Sequence, residues 1–264
     1  MDNREVLRTA LEQSARELNC RAEDFLRSEN VVTPLALAAG ARAYYEPQTA
    51  CNLVSYGNNI VASTVEECRS AVEEYLARYE FYRCFETPGL HWLNSRLEAV
   101  GQRICFMAEY YLPDLDRLRA LGCGYELRLL GQRDFEGLYR PEWSNALCEK
   151  RRQLDVMGMG AYDGGRLVGL AGCSADCACM WQIGVDVLPE YRRRGVAAAL
   201  TSSLAVEILK QGRVPFYCSA WSNIRSVRNA VKSGFVPAWV ELTAKPGGNV
   251  DKLDQSQVLK GTAV

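Results

Sequence analysis

The chain has 264 residues, of which 48% are hydrophobic and 24% charged, and its 31 Lys and Arg against 32 Asp and Glu leave a formal net charge of −1. This is an ordinary globular composition, long enough for one large domain or two smaller ones, and it excludes a disordered or low-complexity chain. It supplies no global basic field, so nucleic acid is not an expected partner and attraction for any anionic ligand has to be local.

The first stretch, MDNREVLRTALEQSARELNC, is charged from its second residue and places Val6, Leu7, Ala10, Leu11 and Leu18 near one helical face. It reads as an amphipathic helix and not as a signal peptide. Charges break every apolar run short of the roughly 18 residues a membrane helix needs, so a cytoplasmic location without a membrane partner is expected. ENVVTPLALAAGARAYYEP, punctuated by Pro34 and Gly40, suggests a second, less regular helical stretch. CNLVSYGNNIVAST suggests strands turning at Gly57, Asn58 and Asn59. Apolar residues at Val65, Cys68, Val72, Tyr75, Leu76 and Tyr79 predict a helix capped by Ser63 or Thr64. A short helix from about Leu90 to Val100 and a strand through ICFMAEYYLPD complete an N-terminal α+β accessory module spanning 1–120. No catalytic constellation stands out in it, and His91, alone at a helix start, reads as structural.

A second domain is expected over 121–250. GCGYELRLL alternates as a half-buried strand does, GQRDFEGLYRPEWSNALCEKRRQL is helical in parts and broken at Pro141, and VMGMGAYDGGRLVGLAGCSADCACMWQIGVDV reads as three antiparallel strands. The first of their turns is carried by Asp163-Gly164-Gly165. A helix from about Gly195 to Lys210, a strand VPFYCSA, a helix from Asn223 to Ser233 and a strand through FVPAWVELTA follow, with a polar tail over 251–264. The eleven cysteines are odd in number and scattered, which favours reduced buried thiols. Cys173, Cys177 and Cys179 invite a zinc site, but no fourth ligand is evident and no metal is expected.

The chemistry concentrates in VLPEYRRRGVAAAL, Val187 to Leu200, where strand, proline, loop and helix follow one another. Gly195 and the alanines after it let a ligand approach the backbone, the first helical N–H groups lack intrahelical acceptors, and the helix dipole adds positive potential: together an anion site. A Walker loop is absent. Gly158-Met159-Gly160 fails as a dinucleotide fingerprint, because Asp163 replaces its third glycine and no helix follows.

Arg192, Gly195 and Ala197 match the signature [RQ]-x-x-G-x-[GA], preceded by a hydrophobic-x-Pro strand end at Val187, Leu188 and Pro189. In NIRSVRNAVKSGF, Asn223, Ser226, Gly234 and Phe235 supply a second motif at the expected distance. Over about 124–245 the chain thus resembles the GNAT superfamily of acyl-CoA-dependent N-acyltransferases. The resemblance implies an α+β fold with a mixed, mainly antiparallel sheet flanked by helices, and an N-acetyltransferase using acetyl-CoA and a primary amine, small-molecule or protein. It implies that the loop Arg192, Arg193, Arg194, Gly195, Val196, Ala197 and Ala198 cradles the pyrophosphate of coenzyme A. It implies also that Val185, Asp186 and Val187 border the pantetheine arm, with the Val187 N–H facing the thioester oxygen, that Asn223 and Ser226 lie at the next helix start, and that Tyr139, Trp143 and Asn145 border the acceptor.

Two departures bear on mechanism. Many members place a glutamate on the fourth strand, where Met180, Trp181 and Gln182 stand here, and a tyrosine seven residues after the motif asparagine, where Ala230 stands. Glu241 and Asp186 are then the candidate bases, beside a water chain, and Tyr217 or Tyr191 the candidate acids. The alternative is a non-catalytic acyl-CoA-binding or sensing protein.

Overall fold

A computed structural model describes residues 1–42 and 49–258. In chain order its regular elements are α1 (Asn3–Leu18), β1 (Val31–Pro34), β2 (Cys51–Ser55), β3 (Val61–Thr64), α2 (Glu66–Arg78), α3 (Thr87–Glu98), β4 (Gln102–Pro113), β5 (Glu126–Gly131), β6 (Asp155–Asp163), β7 (Arg166–Ser174), β8 (Met180–Val187), α4 (Val196–Lys210), β9 (Val214–Ser219), α5 (Ile224–Lys232), β10 (Phe235–Pro246) and α6 (Gly247–Val258). This is an α+β fold whose strands form mixed sheet. Among the described residues no helix is long and apolar enough to cross a membrane.

The chain divides into two compact units: Met1–Ala10 with Glu109–Ala238, and Leu11–Ala108 with the segment from Trp239 on. These limits differ from the division at 120 and 250 expected from sequence. Both β4 and β10 are divided between the units, which composition and motif spacing do not reveal.

In the unit built from 11–108 and 239 onward, β2 and β3 form the expected hairpin, β1 joins β3 in parallel, and β10 joins β2 with Val240 opposite Ser55. Its core gathers Leu53, Ile60, Val72, Tyr75, Leu93, Leu97 and Leu242, all fully buried. Three expectations change here. Val31–Pro34 is a strand and not part of a helix, because parallel pairing with Val61–Thr64 satisfies its backbone. Residues 43–48, the end of that stretch, lie outside the described residues. The cap of α2 is Val65, without a side-chain hydrogen bond, since Ser63 and Thr64 are spent in β3. The C-terminal stretch is helical through Val258 as α6 and not simply a polar tail; 259–264 lie outside the described residues.

In the unit that carries the signature, the strands run β4-β9-β8-β7-β6-β5. β5 through β8 are successively antiparallel, β8 and β9 are parallel, and β4 and β9 are antiparallel. Helix α4 lies over β6, β7 and β8, burying Val196, Leu200, Leu204 and Ile208 against Val168, Ala171 and Ile183. At the full-burial value of about 1.5–3 kcal/mol per large aliphatic side chain, this helix is firmly held. On the other face, Phe135, Trp143, Ala146 and Leu147 from the short turns between β5 and β6 pack against Leu130 and Leu170.

Candidate functional site

The site begins with a failure of pairing. Strands β8 and β9 pair over Met180–Gln182 and Val214–Phe216, so among the described residues β8 from Ile183 to Val187 has no strand on that edge. Its other edge fixes the direction of each amide. Leu188 N–H donates to Val168 O at 3.0 Å, and the β7 register is uninterrupted, with Asp186 opposite Leu170 and Val187 opposite Gly169. Antiparallel alternation then turns the amide of Asp186 towards β7 and those of Val185 and Val187 towards the open edge. The Val187 carbonyl, on the same edge, accepts from Arg192 Nε at 3.0 Å, which ties the arginine loop to the strand.

Beyond Pro189 the backbone folds twice into the left-handed region, at Arg193 (φ +62°) and Gly195 (φ +81°). A side chain is strained in that region, and Arg193 bears one. Gly195 is the N-cap of α4, and nothing lies within 4 Å of where its Cβ would stand. The first intrahelical bond runs from Ala199 N–H to Gly195 O at 3.0 Å. The amides of Val196, Ala197 and Ala198 therefore have no acceptor one turn earlier and point out of the helix mouth.

Strand edge and helix mouth line one cleft of about 880 Å³, towards the upper end of the roughly 300–1,000 Å³ usual for ligand sites. Val185, Asp186 and Val187, Arg192, Arg193 and Gly195 to Ala198, and Tyr217, Asn223 and Ser226 all line it. Most residues singled out in the sequence are thereby brought together. Asn223 caps α5 through its Oδ1, which accepts from Ser226 N–H at 3.2 Å, leaving its amide NH₂ for other partners. Tyr217 shares a 2.7 Å hydrogen bond with Ser226 Oγ. Burial pushes the Tyr217 phenol up from its ordinary value, so it remains protonated at neutral pH and suits a proton donor.

Several expected roles do not survive the geometry. Glu241 is buried in the other unit, where Arg42 Nη2 lies 3.3 Å from its Oε2 and Asn52 Nδ2 donates to its Oε1 at 3.3 Å. It is a structural ion-pair member and does not line the cleft, because β10 carries it past the end of the signature unit. Arg194 also lies outside the lining residues: its guanidinium donates to Tyr125 Oη at 2.7 Å and sits 5.6 Å from the Tyr191 ring centre. Tyr191 does line the cleft, with its hydroxyl donating to Asp163 Oδ2 at 3.0 Å.

Asp186 lines the cleft, but its carboxylate faces the other side of the sheet and is saturated. It accepts from Asn145 N–H at 2.8 Å, Ala146 N–H at 3.0 Å and Asn145 Nδ2 at 2.6 Å. The segment it grips presses on the sheet where only glycine fits, since a Cβ on Gly184 would stand 1.8 Å from Asn145 O and one on Gly172 2.1 Å from Ala146 O. Asn145 lines the cleft; Trp143 is buried beneath it, and Tyr139 packs beside Trp143 and is not among the lining residues. Gln182, where the family glutamate is wanting, donates to Cys218 Sγ at 3.1 Å, and Ala230 is fully buried.

Sequence reading found the strand β4 but not its pairing with β9, having placed it in the N-terminal module. Its end pairs with β9, Glu109 opposite Ser219 and Tyr111 opposite Tyr217, so these four residues share one face of the sheet. Tyr111 Oη donates to Glu109 Oε2 at 2.5 Å, and burial together with that carboxylate pushes the Tyr111 phenol up to about 12. Glu109 is half-buried and forms no ion pair among the described residues. The sequence signal was one acid in the apolar run from Ile104 to Pro113, more than 100 residues before its partner. His91, exposed on α3, lies in the other unit. Cys177 and Cys179 sulfurs are 4.0 Å apart, and among the described residues no group of three or more His, Cys, Asp or Glu side chains is placed to hold a metal ion.

The comparisons now bear on this geometry. No match was found among curated proteins. A GCN5-related N-acetyltransferase from Kribbella flavida is 13% identical, with 96% of this chain and 99% of that one covered and a TM-score of 0.50; at that identity the likeness is one of fold. A GCN5-related N-acetyltransferase-like protein from Streptococcus suis (21% identical, 60% of this chain and 68% of that one covered, TM-score 0.45) and a GNAT-family acetyltransferase from Colwellia psychrerythraea (14%, 55% and 56%, 0.42) are more partial. The chain spans little more than half of the Colwellia protein. The model of the family described as GNAT acetyltransferase matches residues 53–238, which begins well before the signature region and takes in β4. The chain belongs to the GNAT acetyltransferase family.

Proposed function

We propose that the protein transfers an acetyl group from acetyl-CoA to a primary amine, of a small molecule or a protein, by direct attack in a ternary complex in the cytoplasm. The observation that carries this reading is the single cleft joining an open strand edge to an anion-binding helix mouth. Its parts fit an acyl-CoA thioester group by group. The amides of Val196, Ala197 and Ala198, with Arg192 and Arg193, suit a pyrophosphate. The outward amides of Val185 and Val187 pair with an extended amide-bearing arm as an added strand would, and Val187 N–H suits a thioester oxygen. One such donor, well placed against a developing oxyanion, contributes about 2.7–4 kcal/mol.

The acceptor ammonium first gives up a proton through a water chain to Glu109, which lies outside the lining residues, accepts from Tyr111 Oη and holds no ion pair among the described residues. Its nitrogen then bonds to the thioester carbon, the carbon–sulfur bond breaks with its electron pair on sulfur, and the amide forms as the nitrogen releases its second proton. Tyr217, which lines the cleft and is bonded to Ser226, is the group we assign to protonating the departing thiolate. A free thiol ionises near pH 8.5, so the donor assists departure without being indispensable.

Calorimetry with acetyl-CoA tests the site. Gly195→Glu sets a carboxylate at the anion-binding helix mouth and a side chain at φ +81°, so binding is expected to fall at least 100-fold; equal affinity refutes the cleft. A broad amine panel followed by coenzyme A release tests turnover. Binding without turnover on any amine would leave only an acyl-CoA-binding role.

A further inference from the structure

Two thiols outside the cleft are folded into contact. Cys177 and Cys179 stand on the bend between β7 and β8, at the end of β8 away from Val185 and Val187. Their Sγ atoms are 4.0 Å apart, and a disulfide bond of about 2.05 Å needs about 2 Å of closure. The bend is free to supply it: the register of β7 with β8 ends at Ser174 and Gln182, and Ala178 between the cysteines is exposed.

The two thiols are unequal. Cys177 is buried and donates to Met180 O at 3.3 Å. Its hydrogen bond with Cys179, and then burial, push its thiol up from the ordinary range, so it keeps its proton. Cys179 is half-buried and is the sulfur that a dissolved reagent meets first. A thiolate formed on Cys179 has the Cys177 S–H beside it as a donor. Once Cys179 is modified, the same Cys177 sulfur is in position to displace the modifying group.

We infer that Cys177 and Cys179 are a modification site, a reversible dithiol–disulfide couple oxidised by low-molecular-weight disulfides such as glutathione disulfide. The Cys179 thiolate attacks one sulfur of the reagent, forming a mixed disulfide and expelling one small thiolate, which takes up the proton Cys179 gave up. The Cys177 sulfur then bonds to the Cys179 sulfur, and its proton passes to the second small thiolate as that leaves. Two protein thiols and one small disulfide thus become one protein disulfide and two small thiols. Oxidation also removes the S–H that Met180 O accepts. Met180 is buried, so its carbonyl loses a donor that water does not readily replace, and the balance leans to the reduced form. An excess of reduced glutathione therefore reverses the reaction.

The test is to incubate the full chain with glutathione disulfide, alkylate the remaining thiols and map the peptides by mass spectrometry. In wild type the peptide carrying Cys177 and Cys179 should lose two hydrogens, escape alkylation and retain no glutathione, and excess reduced glutathione should restore both alkylatable thiols. In Cys177→Ser, which lacks the resolving sulfur, Cys179 should instead retain glutathione as the mixed disulfide; circular dichroism checks that this variant is folded. Alkylation of both cysteines in the treated wild type, glutathione left on Cys179, or pairing of either cysteine with a third one overturns the couple. The wild-type map decides this even where the variant fails to fold.

Discussion

At the scale of single residues, the site is decided by which polar groups are already spoken for. Asp186 and Glu241 have the right chemistry for a base, yet each is consumed by neighbours, one by three N–H donors and the other by Arg42 and Asn52. Tyr217, which lines the cleft and is bonded to Ser226, and Glu109, which accepts from Tyr111 outside the lining residues, are the groups proposed for proton transfer. Tyr217→Phe should lower kcat with little change in the KM for acetyl-CoA, and Glu109→Gln should lower kcat by about 100-fold or more, the usual range for losing a positioned acid or base; steady-state assay of coenzyme A release measures both. Asp155 offers a pH test outside the cleft. Burial holds its carboxyl up at about 6, despite the Cys148 N–H that it accepts at 2.9 Å. The folded state therefore keeps a proton that the unfolded chain gives up near pH 4, and the associated stability is present below about pH 4 and lost as pH rises through 6. Asp155→Asn has no such proton, so its Tm relative to wild type should rise between pH 4 and 7 in thermal melts.

At the scale of elements, two close approaches hold the cleft in shape. Helix α4 seats on β7 at Gly169, where a Cβ would meet Val196 and Leu200 at 2.9 Å, and the 144–147 segment seats on β8 at Gly184. The obstacle at Gly184 is backbone, which cannot swing aside as a side chain can. Gly184→Ala should displace that segment, strip Asp186 of its amide donors and cost about 1–3 kcal/mol, read as a lower midpoint in urea unfolding. Most elements of the signature unit were legible from alternation, turn residues and capping: the three strands β6, β7 and β8, helix α4, and α5 with its Asn223 cap. Val31–Pro34 was not, because an apolar run with an alanine-rich sequel suits a helix until a parallel neighbour is supplied.

At the scale of the whole molecule, the chain passes from one unit to the other after residues 10, 108 and 238. No single cut separates them. A fragment of residues 120–264 keeps both signature motifs but loses β4, the antiparallel neighbour of β9 that carries Glu109 and Tyr111. It should lack turnover and show loss of cooperative unfolding by circular dichroism; full activity in that fragment would show that β4 is dispensable. Buried charge belongs to the same scale. Glu17, Arg42 and Glu241 meet from distant parts of the sequence, and such a cluster is stable only while every member is present.

The sequence by itself determined the helix mouth with its outward amides, because that is a local object: one strand end, one proline, one glycine and the first turn of the helix behind it lie within fourteen residues. It determined the family for the same reason. Only the tertiary structure decided which acids and hydroxyls remain available, since that depends on groups remote in the chain: Asn145 on Asp186, Arg42 on Glu241, and the pairing of Glu109 and Tyr111 with Ser219 and Tyr217. A side chain's chemistry is written in the sequence, but its freedom to act is set by the partners that folding brings to it.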